Sequence, residues 1–237
     1  MNSFLGICGV VALLLIVGTG LGLLDRKAFS FRWLLIAAGL VLLNDFMLTS
    51  GYGLIPDLIG GDWNWQGKFL ALAASLVVAS LAAFGWRNSG LTLAQNRQGI
   101  AVTMAVTLAL LAVYTLMALA QPNEPSTLET IAFQMTMPGL EEEIFYTGLL
   151  LFTLNKAFKA RLRFLGADWG WAVPLTAALF GLAHAFGFSS EGFSFDWLTM
   201  VLVTWPAAII FWLRMRTGSV LIPILLHNYV NSIGHFI

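Results

Sequence analysis

The run Met137-Pro138-Gly139-Leu140-Glu141-Glu142-Glu143-Ile144-Phe145-Tyr146-Thr147-Gly148 sets three consecutive carboxylates inside an apolar stretch, Thr130–Leu154. A membrane helix needs roughly 20 predominantly apolar residues, and this stretch is long enough to be one. Ionisable groups at such depth are costly and mark candidate functional sites. Proline interrupts the helical hydrogen-bond ladder. The span is therefore expected to break near Pro138, with Pro138 opening a second helix. The glutamates would then fall in its first turn, where the positive end of the macrodipole favours negative charge.

Working outward, seven further apolar stretches flank this one. Phe4–Leu24, Phe31–Leu48, Phe69–Trp86 and Ile100–Leu119 precede it; Trp171–Phe188, Trp197–Leu213 and Val220–Ile237 follow. The pattern predicts an all-α polytopic membrane protein, eight transmembrane helices in one bundle with a mid-membrane polar site. Residues 1–237 would form a single integral membrane domain, its motif-bearing half at approximately 130–237. Composition agrees, since 59% of the 237 residues are hydrophobic and only 10% charged, with a mean hydropathy of +0.83. Soluble domains carry about 25% charged residues, so an ordinary cytosolic enzyme, a disordered segment and a disulfide scaffold are excluded. Twelve Lys+Arg balance twelve Asp+Glu, which leaves no basic field to hold nucleic acid. Cys8 stands alone, so neither an internal disulfide nor a cysteine-based zinc spacing is available.

The positive residues alternate between loops. Arg26, Lys27 and Arg32 follow the first stretch, and Arg87 and Arg97 the third. Lys156, Lys159, Arg161 and Arg163 follow the fifth, and Arg214 and Arg216 the seventh. The positive-inside rule places those four loops in the cytoplasm and both termini outside, in a plasma or bacterial inner membrane. With no Lys or Arg before it, the first stretch reads as a retained span. Lys68 is the exception to the alternation, an expected interfacial residue at the opposite side. The loops Ser50–Gly67, Gln121–Glu129 and Ser189–Asp196 belong to that side.

Three other stretches carry polar groups at depth. Asn44 and Asp45 sit late in the second, Phe180 and His184 in the sixth, and His227 and Asn231 in the eighth. Residues four apart share a helix face, which pairs Phe180 with His184 and His227 with Asn231. Gly181 and Ala183 permit a close helix approach. His235, at the end of the last stretch, reads as interfacial, and Asp45 has no assigned role. A carboxylate and a histidine in a semi-apolar pocket can activate water. A second histidine and an asparagine amide can donate hydrogen bonds to a tetrahedral oxyanion. No serine stands in a nucleophile-elbow context, and Cys8 has no partner for thiol catalysis.

On these residues the sequence resembles the CAAX prenyl endopeptidase and bacteriocin-processing (CPBP, or Abi) intramembrane proteases, which share the motifs EExxxR, FxxxH and HxxxN. Glu142 and Glu143 match the first, Phe180 and His184 the second, His227 and Asn231 the third. The resemblance implies an endopeptidase in which Glu142 with His184 activates water, Glu143 supports the site, and His227 and Asn231 stabilise the oxyanion. Thr147 stands where the motif has arginine, and a threonine supplies no fixed charge or bidentate fork. Glu142 is accordingly expected to be unpaired and easily protonated. If zinc were held, Glu142, His184 and His227 would hold it, but no HExxH spacing exists, so metal-free catalysis without a cofactor is favoured. The expected partners are a membrane-associated protein or peptide substrate and the lipid bilayer. Two other readings stay open: a catalytically inactive peptide-binding or immunity-type membrane protein, and a proton- or ion-coupled transporter.

Overall fold

A computed structural model describes residues 2–122 and 125–237. The chain is mostly helical, at 68% helix. Among the described residues four helices are long and apolar enough to cross a membrane: α1 (Asn2–Leu24, its apolar span being Phe4–Leu24), α2 (Phe31–Thr49), α4 (Ile100–Leu119) and α9 (Trp197–Thr217). Two shorter apolar helices, α3 (Trp65–Ser80) and α8 (Ala172–Ala185), lie among them. The expected fifth span is indeed broken. It runs as α5 (Leu128–Gln134), α6 (Met137–Glu142), a π-helical segment (Glu143–Leu150) and α7 (Leu151–Ala157). The last helix, α10 (Leu221–Ser232), ends in a 3₁₀ turn at Ile233–His235.

The third and sixth expected spans are also shorter than their apolar runs. The third helix stops at Ser80, because turns at 81–90 include Gly85 and Gly90 at φ +80° and +76°, a conformation natural only to glycine. The sixth stops at Ala185. Phe186–Ser189 (β3) and Gly192–Phe195 (β4) pair as an antiparallel hairpin, taking up the end of the expected sixth span and the loop expected after it. Their alternation of Phe with Gly and Ser is a period-two pattern, and Phe186 stacks on Phe193 at 5.4 Å between ring centres. A second hairpin, Leu162–Phe164 (β1) with Ala167–Trp169 (β2), turns at Leu165 and Gly166 with φ +49° and +74°. The Leu165 carbonyl is held there by Trp212 Nε1 (3.0 Å) and Arg216 Nη1 (2.8 Å).

Backbone contacts sort the loops into two ends. Lys159 N–H donates to Ala28 (2.7 Å), Asn96 N–H to Thr217 (2.7 Å) and Val220 N–H to Gly90 (3.0 Å). With Arg216 on Leu165, these bonds gather all four basic loops together. At the other end, Asp62 N–H donates to Glu129 (2.9 Å), and Ser126 Oγ lies 2.6 Å from His235 Nδ1. Of the Gln121–Glu129 loop, residues 123 and 124 lie outside the described residues. The buried core joins α2, α7 and α8 through residues such as Leu34, Ala37, Leu154, Ala172 and Val173. Ile16, Leu108, Leu116, Leu202 and Trp205 face outward, as lipid-facing positions would.

Candidate active site

The site begins at the break. Pro138 lies in the first turn of α6, where its missing donor would have had no helical partner. The next N–H, that of Gly139, donates to Asn228 Oδ1 of α10 at 2.7 Å. A Cβ at Gly139 would lie 2.6 Å from the Ile224 carbonyl oxygen, so only glycine lets α6 and α10 touch here. That contact carries His227, the neighbour of Asn228, against the glutamates. His227 Nδ1 lies 2.7 Å from Glu143 Oε1, and Nε2 lies 3.8 Å from Glu142 Oε2. Both glutamates stand where α6 widens into the π segment, a deviation frequent at functional sites.

A cation reaches the same carboxylates from α3. Asn64 caps that helix, accepting from Gly67 N–H at 3.0 Å while its Nδ2 donates to the Leu48 carbonyl at 2.8 Å. Lys68 follows one turn later. Its Nζ lies 2.6 Å from Glu141 Oε2 and 2.7 Å from Glu142 Oε1, with only 13% of the lysine side chain exposed. The interfacial placement expected for Lys68 is thus corrected. So is the expectation that Glu142 is unpaired, because α3 brings a charge that the local motif lacks. Thr147 turns back on its own helix, its Oγ1 donating to the Glu143 carbonyl at 2.6 Å, and is buried.

The second motif stands opposite. His184 Nδ1 lies 2.8 Å from the Phe180 carbonyl. A carbonyl only accepts, so Nδ1 carries the proton and Nε2 of the neutral ring is the basic nitrogen. The Phe180 ring is centred 4.7 Å from His184 and 6.2 Å from His227. Gly181 provides the expected close approach, since a Cβ there would lie 2.8 Å from Met200 Sδ of α9.

Glu142, Glu143, His184, His227 and Asn231 all line one cavity of about 360 Å³, with Phe180 in its wall. Leu110, Leu202, Pro206, Ile210 and Val230 supply apolar walls. Glu142 Oε2 and Glu143 Oε2 are buried there without hydrogen-bond partners. Glu141 is completely buried against Lys68 and does not line the cavity. His235 pairs with Ser126 at the bundle's end, and Asp45 lines a different chamber. Among the described residues no group of His, Cys, Asp and Glu is arranged to hold a metal ion. The donor set also fits a dication poorly at one point, because the Lys68 ammonium already occupies Glu142.

Lys68 and Asn228 escaped the sequence reading. For Lys68 the signal was its being the one cation off the alternating pattern; for Asn228 it was an amide beside a motif histidine.

Residues 124–233 match the family model described as Rce1-like, type II CAAX prenyl endopeptidase Rce1-like. Over those residues the chain is similar to the Rce1-like family. All three motifs lie inside the match, whereas Lys68 lies outside it. Neither the curated proteins nor the solved structures contain a match.

Proposed function

We propose that this Rce1-like chain is a metal-free intramembrane endopeptidase that cleaves a peptide bond of a membrane-associated protein or peptide. The observation carrying this reading is the convergence of Glu142, Glu143, His184, His227 and Asn231 on one apolar-walled cavity. Glu142 Oε2, free of hydrogen bonds, accepts a proton from water while His184 Nε2 accepts a hydrogen bond from the same water and orients it. The resulting hydroxide attacks the scissile carbonyl carbon, and the carbonyl oxygen becomes an oxyanion. His227, held from Nδ1 by Glu143, donates from Nε2 to that oxygen when its ring is fully protonated. The Asn231 amide is the second donor. The proton taken by Glu142 passes to the leaving amine. Glu143 orients His227, as carboxylates commonly fix an active-site imidazole.

The chain crosses the membrane eight times, with the four basic loops in the cytoplasm and both termini outside. The gathering of those loops at one end supports this count, with the broken fifth span and the shorter α3, α8 and α10 completing the bundle. One integral domain then carries both the motif-bearing half and the Lys68 that completes it.

The test uses the full chain in vesicles with a library of lipid-anchored peptides. Wild type should release products that mass spectrometry identifies, and Glu142→Gln should lower the rate about 10²–10⁴-fold, as loss of a positioned base does. Peptide binding without any Glu142-dependent product would assign the chain to the peptide-binding reading instead.

A further inference from the structure

Asp45 is not used by the proposed reaction, yet it lines a second chamber of about 420 Å³ between α1, α2 and α8. It is half-buried, about one turn or ~6 Å from the end of α2. Thr49 Oγ1 approaches its carboxylate at 3.5 Å, and among the described residues no cation pairs with it. Beside it Asn44, only 6% exposed, lines the same chamber and keeps its Oδ1 without a partner. The Asp45 carboxylate thus stands in a chamber otherwise walled mostly by apolar side chains, Val10, Val41 and Leu179 among them. Acceptors predominate, so the fitting occupant is a cation.

The walls decide which cation. A hard metal ion wants six or more oxygens, which one carboxylate, one amide and one hydroxyl do not supply. An alkylammonium or guanidinium instead brings an apolar stem that packs on hydrocarbon while its charged head reaches a single anion. The chamber also adjoins the catalytic cavity. Tyr146 lines both, and α8 divides them: Phe180 and His184 face the catalytic side, Leu179 and Ala183 the chamber. A peptide lying across Tyr146 would set its scissile bond at Glu142 and a neighbouring side chain beside Asp45.

We propose that this chamber is a specificity subsite for a basic side chain of the substrate, with Asp45 as its anionic determinant. The proposal rests on the endopeptidase reading, and its test is built on binding so that the two fail separately. The probe is a set of fluorescent lipid-anchored peptides carrying lysine or norleucine at each position in turn. Binding is measured to the full chain bearing Glu142→Gln in phosphatidylcholine vesicles. At one position lysine should bind about tenfold tighter than norleucine, the size of a charge-assisted hydrogen bond. Asp45→Asn in the same background should remove that preference, and Asp45→Lys should transfer it to glutamate at that position. In the chain with Glu142 intact, the same position should change KM and leave kcat. No lysine preference at any position, or one that survives Asp45→Asn, would overturn the proposal. An Asp45 effect that follows added phosphatidylethanolamine and ignores peptide charge would also overturn it, giving the chamber to a lipid headgroup. Absence of cleavage with the preference intact would count against the endopeptidase reading alone.

Discussion

Lys68 Nζ stands 2.7 Å from Oε1 of Glu142, across 74 residues of chain. The same ammonium lies 2.6 Å from Glu141, so α3 supplies the counter-charge for a carboxylate cluster that the family match contains only on one side. Glu142 therefore enters the site with one oxygen pinned and the other directed at His227.

Removing that cation should be severe. Lys68→Met leaves two neighbouring carboxylates without their partner, and breaking a buried pair in this way typically costs about 3–5 kcal/mol. Expected are a lowered thermal midpoint in detergent and a loss of cleavage, with Lys68→Arg retaining more of both. Adding Glu141→Gln to Lys68→Met should recover part of the stability, since one unpaired charge is removed. Lys68→Met with wild-type stability and rate would show that the pair holds nothing in place.

Asn228 should act through His227. Asn228→Ala leaves the Gly139 N–H without its acceptor, at a cost of about 1–3 kcal/mol, and loosens α10 against α6. Because His227 is adjacent, kcat should fall more than KM rises, while Asn228→Asp keeps an acceptor and most of the rate. Gly139→Ala should resemble Asn228→Ala, since its Cβ would press on the Ile224 carbonyl 2.6 Å away. A pure KM effect in Asn228→Ala would argue that the residue meets substrate instead.

Chelators should leave cleavage unchanged. The donors Glu142, His184 and His227 do not assemble as a metal set among the described residues, and Lys68 opposes a dication at Glu142 on simple Coulomb grounds. Rates after dialysis against a strong chelator, and metal content by mass spectrometry of the active protein, check this. Activity lost to chelator and restored by zinc would refute the metal-free mechanism.

Acid should release the loop that covers α3. Glu129 accepts from Asp62 N–H (2.9 Å), Trp63 N–H (3.2 Å) and Trp65 Nε1 (3.1 Å). The Asp62 bond leads the bonds that hold its carboxyl below the ordinary value of 4.5. A depressed acid contributes stability that is complete above its unfolded value and lost as pH falls through its folded one. The loop should therefore stay docked at neutral pH and loosen only below about pH 4.5. Trp63 stacks on Phe133 at 4.8 Å between ring centres, so tryptophan fluorescence reports the release. Glu129→Gln should show the loosened signal at every pH; a wild-type signal in that variant would mean the rings alone hold the loop.

The sequence by itself determined that the chain is mostly helical, that several of its helices are apolar enough to cross a membrane, and which polar side chains stand within the apolar runs. Those properties are local or periodic: an apolar run, a proline, residues four apart. It also placed the break at Pro138 and the three motifs on separate helices, because intramembrane charge is too costly to be incidental. Only the tertiary structure decided which groups meet. Helix ends at Ser80 and Ala185 were set by glycine turns and a hairpin that hydropathy does not register, since the residues just past each end, 81–86 and 186–188, are apolar or small. The partner of Glu142 came from α3 and the acceptor for Gly139 from α10, and neither spacing nor composition encodes a contact between helices 74 and 89 residues apart. A lone lysine reads as interfacial along the chain; folding buries it against two carboxylates, because that is where its charge is neutralised.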